Sequence, residues 1–243
     1  ARVLVVDDGA ENRELIALVL AAQGLWVEEA ENGRVALDKI SAHPFDLVLM
    51  DMQMPVMDGY AATRELRRRG VQAPIVALTA HAMKGYEQEV LQAGCTEYLT
   101  KPVDIDTLVQ QVAQLLGGTP EDSTTAVRAP APPAMVAADE PQPVQGPIRS
   151  RFADHPKLAP IVRRFAARLD EQLALAREAA GAGDLAEVAR LAHWLAGAAG
   201  TVGYDDFTAP ARELEAGAKA GDPAATAAVL ERLARMAGQI ELP

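Results

Sequence analysis

Five polar side chains share one position in the sequence pattern, because each lies at or just after the end of a short apolar run. They are Asp7, Asp8, Asp51, Thr79 and Lys101. Three carboxylates held close together repel one another unless a cation is present, and oxygen ligands with room for water suit Mg²⁺. A hydroxyl and an ammonium beside them can donate hydrogen bonds to phosphoryl oxygens. Taken singly, each residue could be an ordinary turn or surface residue, but together they predict a magnesium-assisted phosphoryl site.

The elements that would position these residues alternate between strand and helix. Short apolar or β-branched runs predict strands at residues 2–6, 25–27, 47–50, 74–78 and 96–99, and a helical pattern follows each of them. This alternation predicts an α/β domain with a doubly wound, five-stranded parallel sheet and helices on both faces. The carboxyl ends of parallel strands meet at one edge of a sheet, so we expect the five side chains to share one crevice.

A change of composition separates this region from the rest of the chain. Residues 119–147 are rich in Pro and Ala with hardly any large apolar residues, so they cannot bury enough surface to offset their ordering entropy. We predict a linker there, between one domain at residues 1–118 and a second at 148–243. A coil of this length would tether the domains without fixing their arrangement. Four amphipathic helical patterns with short connections predict that the second domain is an all-α four-helix bundle.

Composition and charge exclude several classes of function. The formal net charge of −11 is not offset by a basic recognition helix, which argues against nucleic acid as a partner and against a DNA-binding regulator. No apolar run approaches the ~20 residues of a membrane span, so we expect no direct membrane contact from this region. The single cysteine, Cys95, excludes an internal disulfide and fits a reducing, cytoplasmic location. No glycine-rich phosphate loop follows the first strand, so nucleotide binding is not indicated.

Four segments of the first domain carry a resemblance to a known family. They read VVDD at 5–8, MDMQMPVMDG at 50–59, LTA at 78–80 and YLTKP at 98–102. They resemble the receiver domain of bacterial two-component signalling, and the match extends over residues 1 to about 118. The resemblance implies the flavodoxin-like form of the parallel sheet that the strand pattern predicts.

The resemblance also implies roles for individual residues. Asp51 accepts a phosphoryl group from a phosphohistidine. By the same resemblance, Mg²⁺ is expected to be held by Asp8, Asp51 and the backbone carbonyl of Gln53, with Asp7 acting largely through water.

Two further features follow from the same resemblance. Thr79 and Tyr98 match the family's switch pair, which reorients when the aspartate is phosphorylated. The peptide bond between Lys101 and Pro102 is predicted to be cis, since X-Pro is the bond at which the cis form costs little.

His193 is the candidate for chemistry in the second domain. It lies about 140° from the centre of the apolar stripe of its helix, so we expect it to face solvent. A lone surface histidine is often incidental. Glycine within a helix costs about 1 kcal/mol against alanine, however, so glycines near this one suggest that a partner surface must approach closely. The neighbours predicted to share its face are all small, namely Ala186, Ala189, Ala196, Gly197 and Gly200.

The segment LAHWLAGAAGTVG at 191–203 resembles the signature of histidine-containing phosphotransfer domains, over residues 148–243. The resemblance implies that His193 is phosphorylated and passes the group to or from a receiver aspartate. The family usually has a lysine three residues after the histidine, where this chain has Ala196. Arg190 lies one turn before His193 and is a candidate for the missing cation, although a solvated surface arginine is an equally good interpretation.

We interpret the chain as the C-terminal receiver and phosphotransfer portion of a hybrid sensor histidine kinase, acting in a two-component phosphorelay. The expected partners are the catalytic and dimerisation domain of a histidine kinase, on the same or another polypeptide, and the receiver domain of a downstream response regulator. The alternative is a docking module that phosphorylation controls, with an inert helical bundle. A haloacid-type phosphatase, which also uses aspartate and Mg²⁺, is a more distant possibility, and finding the phosphorylated aspartate at Asp7 instead of Asp51 would favour it.

Overall fold

The structure, a computed structural model, describes residues 1–80, 86–117 and 146–243. Within the first two ranges, five parallel strands alternate with five helices, as predicted, and the strand order is β2-β1-β3-β4-β5. The elements are β1 (Arg2–Val6), α1 (Ala10–Ala22), β2 (Trp26–Ala30), α2 (Gly33–Ala42), β3 (Leu47–Asp51), α3 (Gly59–Arg68), β4 (Ile75–Thr79), α4 (Tyr86–Ala93), β5 (Glu97–Thr100) and α5 (Ile105–Leu115).

The helices cover both faces of the sheet, because alternate residues of each strand point to opposite sides. On one side, Leu4 and Val48 belong to a buried cluster that includes residues of α2 and α3. On the other side, Val3 and Leu47 belong to a cluster that includes residues of α1 and α5. The predicted doubly wound fold is therefore confirmed.

The edge strand β2 runs three residues further than the sequence predicts. Its extra residues include Glu28 and Glu29, which interrupt the apolar pattern. Both are ion-paired, Glu28 with Arg2 at 2.6 Å and Glu29 with Arg13 at 3.1 Å. An edge strand tolerates such residues because one side of it remains accessible to water.

The last described range contains a four-helix bundle, as predicted. Helices α6 and α8 each pack against both α7 and α9, and a 3₁₀ turn at Asp205–Phe207 leads into α8. The start of this range is held to its end by a bridge between Ile148 and Ile240. The helices are α6 (Ala159–Gly181), α7 (Leu185–Thr201), α8 (Thr208–Lys219) and α9 (Pro223–Ala237).

The two domains dock against each other, whereas the sequence analysis expects them to be tethered without a fixed arrangement. Leu15 of α1 belongs to the apolar core of the bundle, and Ile105 at the start of α5 packs against it. The Val103 N–H donates to Oγ1 of Thr201 at 3.1 Å. The composition of the linker indicates how far apart the two domains can lie, but it does not show whether their surfaces are complementary. The predicted linker, residues 119–147, lies outside the described residues except for its last two.

None of the helices in the described ranges combines the length and the apolar character that crossing a bilayer requires.

Candidate functional site

The predicted acidic cluster forms at the carboxyl edge of the sheet. Asp7 directly follows β1 and Asp51 ends β3, and these residues are only 1% and 3% exposed. Strand pairing aligns Val6 with Met50, which brings the residue after each of them to the same level. Asp8 lies beside them, and oxygen atoms of the three carboxylates fall within 4.8 Å of one another.

Lys101 joins this cluster from the loop after β5. Its Nζ atom lies 2.7 Å from Oδ2 of Asp7 and 2.7 Å from Oδ2 of Asp51, and the residue is buried. The other carboxylate oxygen of Asp51 accepts a hydrogen bond from the N–H of Gln53 at 3.1 Å. The structure thus brings together the acids and the lysine that the sequence analysis assigns to one crevice.

The remaining predicted residues lie on the neighbouring strands. Thr79 ends β4 and is buried, and its carbonyl accepts a hydrogen bond from the N–H of Lys101 at 2.6 Å. Tyr98 is half-buried on β5, which pairs directly with β4. The bond between Lys101 and Pro102 is cis, as predicted.

Burial and neighbouring charges shift the pKa values of Asp51, Asp8 and Lys101 at this edge. Burial has the largest effect on Asp51 and raises its pKa to about 6, with Lys101 opposing and Asp7 reinforcing the shift. Burial and then Asp7 raise the pKa of Asp8, against smaller opposing effects of Lys101 and His193. Burial alone would lower the pKa of Lys101, but the two carboxylates beside it raise that pKa overall. Three carboxylates around one ammonium favour a further cation, and oxygen ligands at this spacing fit Mg²⁺.

His193 lies on α7 and faces the crevice of the first domain. Its side chain is 20% exposed, so the expectation that it faces open solvent is wrong for the docked chain. Its Nδ1 atom lies 3.1 Å from Oε1 of Glu215 on α8, and the same oxygen accepts a hydrogen bond from Nζ of Lys219 at 2.5 Å. Burial alone would raise the pKa of Glu215, but the bonds from His193 and Lys219 outweigh it and lower that pKa to about 2. An ionised Glu215 favours the tautomer with the proton on Nδ1, which leaves Nε2 as the reactive nitrogen.

A single cavity of about 580 Å³ connects the acidic cluster with His193. Both domains contribute to its walls, so Asp51 and His193 face a common space. The principal polar or closely approaching residues around it are Asp8, Asp51, Lys101, Arg190, His193 and Gly197.

The glycines of α7 allow the two domains to approach this closely. A Cβ atom at Gly197 would lie 3.3 Å from Cδ of Lys101, and a Cβ atom at Gly200 would lie 2.5 Å from Cβ and Cγ of Pro102. The glycines of α7 therefore do allow a surface to approach closely, and in this structure that surface belongs to the first domain of the same chain.

Two of the predicted neighbours of His193 behave differently from expectation. Ala196 is 3% exposed and belongs to an apolar cluster that joins the bundle to Leu15 of the receiver, and it does not line the cavity. Arg190 lines the cavity, but its guanidinium pairs with Glu187 at 2.6 Å. The sequence analysis does not identify Glu215 and Lys219 as residues of the site. The available signal was a Glu and a Lys one turn apart on the same face of a predicted helix.

Comparison with known proteins agrees with this geometry. The family model of the response regulator receiver domain matches residues 3–113. Two-component response regulator ORR41 of Oryza sativa subsp. japonica is 44% identical over 111 residues, which cover 44% of this chain and 87% of that protein. The chain belongs to the response regulator receiver family. The Hpt domain model matches residues 160–241, so the second domain is an Hpt domain.

Two further similarities concern the receiver. Sensor histidine kinase GacS of Pseudomonas protegens is 46% identical over 121 residues, or 48% of this chain, and the match spans only 13% of that kinase. The receiver domain of the Francisella response regulator 1452 is 31% identical, with a TM-score of 0.47, over 48% of this chain and 96% of that one. Receiver and Hpt domains together place the chain in two-component phosphorelay signalling, as predicted.

Proposed function

We propose that the chain relays a phosphoryl group between Asp51 of the receiver and His193 of the Hpt domain, within one molecule. The observation that carries this proposal is the cavity that both side chains line. An inert bundle would not need an imidazole at the mouth of the receiver crevice. The docked arrangement therefore favours phosphotransfer over the alternative of a docking module.

The chemistry of one direction can be written with atoms in balance. Nε2 of His193 attacks the phosphorus of phospho-Asp51, the P–O bond to the carboxylate breaks, and the carboxylate is released. The positive charge that develops on the imidazole is stabilised by the ionised Glu215 at Nδ1. The released carboxylate is stabilised by Nζ of Lys101, which lies 2.7 Å from Asp51. The reverse transfer uses the same groups.

Mg²⁺ is the proposed cofactor. Asp8, Asp51 and the carbonyl of Gln53 would hold it, with Asp7 acting through water, and the three clustered carboxylates support this assignment. When bound, Mg²⁺ neutralises part of the phosphoryl charge. The side chain of Thr79 would donate to a phosphoryl oxygen from the neighbouring strand.

Two further assignments extend the proposal. Thr79 and Tyr98 act as the switch pair that reports phosphorylation, which their positions on paired strands support. The upstream partner is the phosphohistidine of a histidine kinase, and the downstream partner is a receiver of a response regulator. We place the receiver and Hpt domains in the cytoplasm, where a free, buried Cys95 is compatible with the reducing conditions.

The test is to follow phosphoryl label in the full chain supplied with acetyl phosphate and Mg²⁺. Alkali distinguishes label on Asp51 from label on His193, because it hydrolyses the acyl phosphate and leaves phosphohistidine intact. Wild type should carry label on His193, His193→Ala should carry it only on Asp51, and Asp51→Ala should carry none. Label on His193 in Asp51→Ala, or its absence in wild type while His193→Ala is labelled on Asp51, would contradict the relay.

A further inference from the structure

Two ion pairs join the first helix of the receiver to the first helix of the Hpt domain. Nη1 of Arg168 on α6 lies 2.9 and 3.2 Å from the two carboxylate oxygens of Glu11 on α1. One turn along both helices, Arg164 pairs with Glu14. The acids therefore belong to one domain and the arginines to the other.

The pair of Glu11 with Arg168 is the more buried of the two. Glu11 is only 7% exposed, whereas the side chains of Arg164 and Glu14 are 55% and 41% exposed. A carboxylate that is nearly buried needs its cation, because an unpaired charge in such a position is strongly unfavourable. The pair of Glu11 with Arg168 should therefore distinguish matching from non-matching receivers more strongly than the pair of Glu14 with Arg164.

Arg168 is also held on its other side. Its guanidinium carbon lies 5.3 Å from the centroid of the Trp194 ring, in a cation–π contact. Trp194 directly follows His193 in α7. Trp194 thus helps to position the Arg168 guanidinium that contacts the receiver. Because Trp194 is adjacent to His193 in the chain, docking of the receiver is coupled to the position of the imidazole.

We propose that Arg164 and Arg168 are the specificity determinants by which this Hpt domain recognises a receiver. The partner that fits is a receiver whose first helix carries carboxylates at the positions of Glu11 and Glu14, with an apolar residue at that of Leu15. A receiver with basic residues at these positions would place positive charges against Arg164 and Arg168. Such repulsion excludes a wrong partner more effectively than the mere loss of the two ion pairs would. The inference rests on the proposed function and names the partner of the same site.

The experiment compares four full-length chains in single-turnover transfer from Asp51 to His193. They are wild type, Glu11→Arg/Glu14→Arg, Arg164→Glu/Arg168→Glu, and the chain with all four changes. Each two-residue reversal should slow transfer by about tenfold or more, since like charges then meet across the interface. The four-residue chain restores both pairs with reversed sign, and its rate should return to within about threefold of wild type. Higher ionic strength should reduce the difference between matched and mismatched chains.

A control is Arg163→Glu, which reverses one charge at the exposed neighbour of Arg164 and should leave the rate unchanged. Equal rates in all four chains, or failure of the four-residue chain to recover, would overturn the inference while the relay itself stands. Recovery in the four-residue chain also excludes misfolding as the cause of the slow double variants. If wild type does not label His193 at all, the proposed function fails and this inference fails with it.

Discussion

Nδ1 of His193 lies 3.1 Å from Oε1 of Glu215, a buried carboxylate on the neighbouring helix of the bundle. This contact fixes the ring orientation and directs Nε2 toward the receiver. Replacing Glu215 by Gln should therefore slow transfer to His193 by about 10- to 100-fold, in line with the usual cost of losing such a supporting contact. Rapid-quench measurement of labelled full-length protein would give the rate. Glu213→Gln, two residues away and exposed, is the matched control, and equal slowing in both variants would argue against a specific role.

The same carboxylate makes the stability of the protein depend on pH. The pKa of Glu215 is lowered from an ordinary 4.5 to about 2. A lowered folded-state pKa stabilises the fold fully above the unfolded value, and the contribution is lost as pH falls through the folded value. The contribution of the Glu215 carboxylate to the difference in unfolding free energy between wild type and Glu215→Gln should thus be fully present above about pH 5. It should shrink by up to roughly 3 kcal/mol between about pH 5 and pH 2. Urea denaturation at a series of pH values tests this, and a flat difference would contradict it.

Lys219 should supply the cation that the usual lysine at position 196 would supply. It lines the cavity and donates to Glu215 at 2.5 Å. We expect Lys219→Ala to slow transfer about tenfold, and Arg190→Ala to have a smaller effect because that guanidinium pairs with Glu187. Ala196→Lys should fail to accelerate transfer, since its ammonium would enter an apolar core. A faster Ala196→Lys chain, or a Lys219→Ala chain with an unchanged rate, would reject this assignment.

Gly200→Ala should lower the rate of transfer while the stability of the bundle changes little, because the new Cβ atom would lie only 3.0 Å from Oγ1 of Thr208 on α8, which opposes the gain in helix propensity. Alanine is the better helix residue by about 1 kcal/mol. Its Cβ atom would nevertheless lie 2.5 Å from the Pro102 ring, so the receiver could not dock without a shift. Gly217→Ala is the matched control, because the nearest atom to its Cβ lies at 3.5 Å, an ordinary contact. Denaturation and transfer assays on both variants would separate the two effects, and transfer at the wild-type rate in Gly200→Ala would exclude the steric argument.

Beryllofluoride with Mg²⁺ should change the environment of Tyr98 in wild type and not in Asp51→Ala. The reason is that the clustered carboxylates must be neutralised before a further anionic group can bind beside them. Tyrosine NMR signals would report the change. Removing Mg²⁺ with a chelator should abolish the wild-type response, and a response of equal size in Asp51→Ala would remove Asp51 from its proposed role.

The crevice could be predicted because its geometry follows from chain order. Asp7, Asp51 and Thr79 each lie at the carboxyl end of a parallel strand, and strand pairing alone brings them to one edge. The end of β2 could not be predicted because Glu28 and Glu29 interrupt the apolar pattern by which a strand is recognised. Their charges are neutralised by Arg2 and Arg13, which are distant in sequence.

The surroundings of His193 were harder to predict, because they depend on which surfaces meet. Helical periodicity places the imidazole away from the apolar stripe but cannot show that a second domain covers it. The same periodicity assigned Ala196 to the open face, whereas the packing of neighbouring helices buries it. The contact with Glu215 joins two helices, and no spacing along the chain connects them.

The shared cavity imposes an order of events on the molecule. In the proposed relay, the Hpt domain covers the mouth of the receiver, so the phosphohistidine of a kinase and His193 could not reach Asp51 at the same time. Loading and unloading of Asp51 must alternate, with one separation of the domains in every cycle. The lifetime of the interface between α1 and α6 therefore sets an upper limit on how many signals per second the chain can transmit.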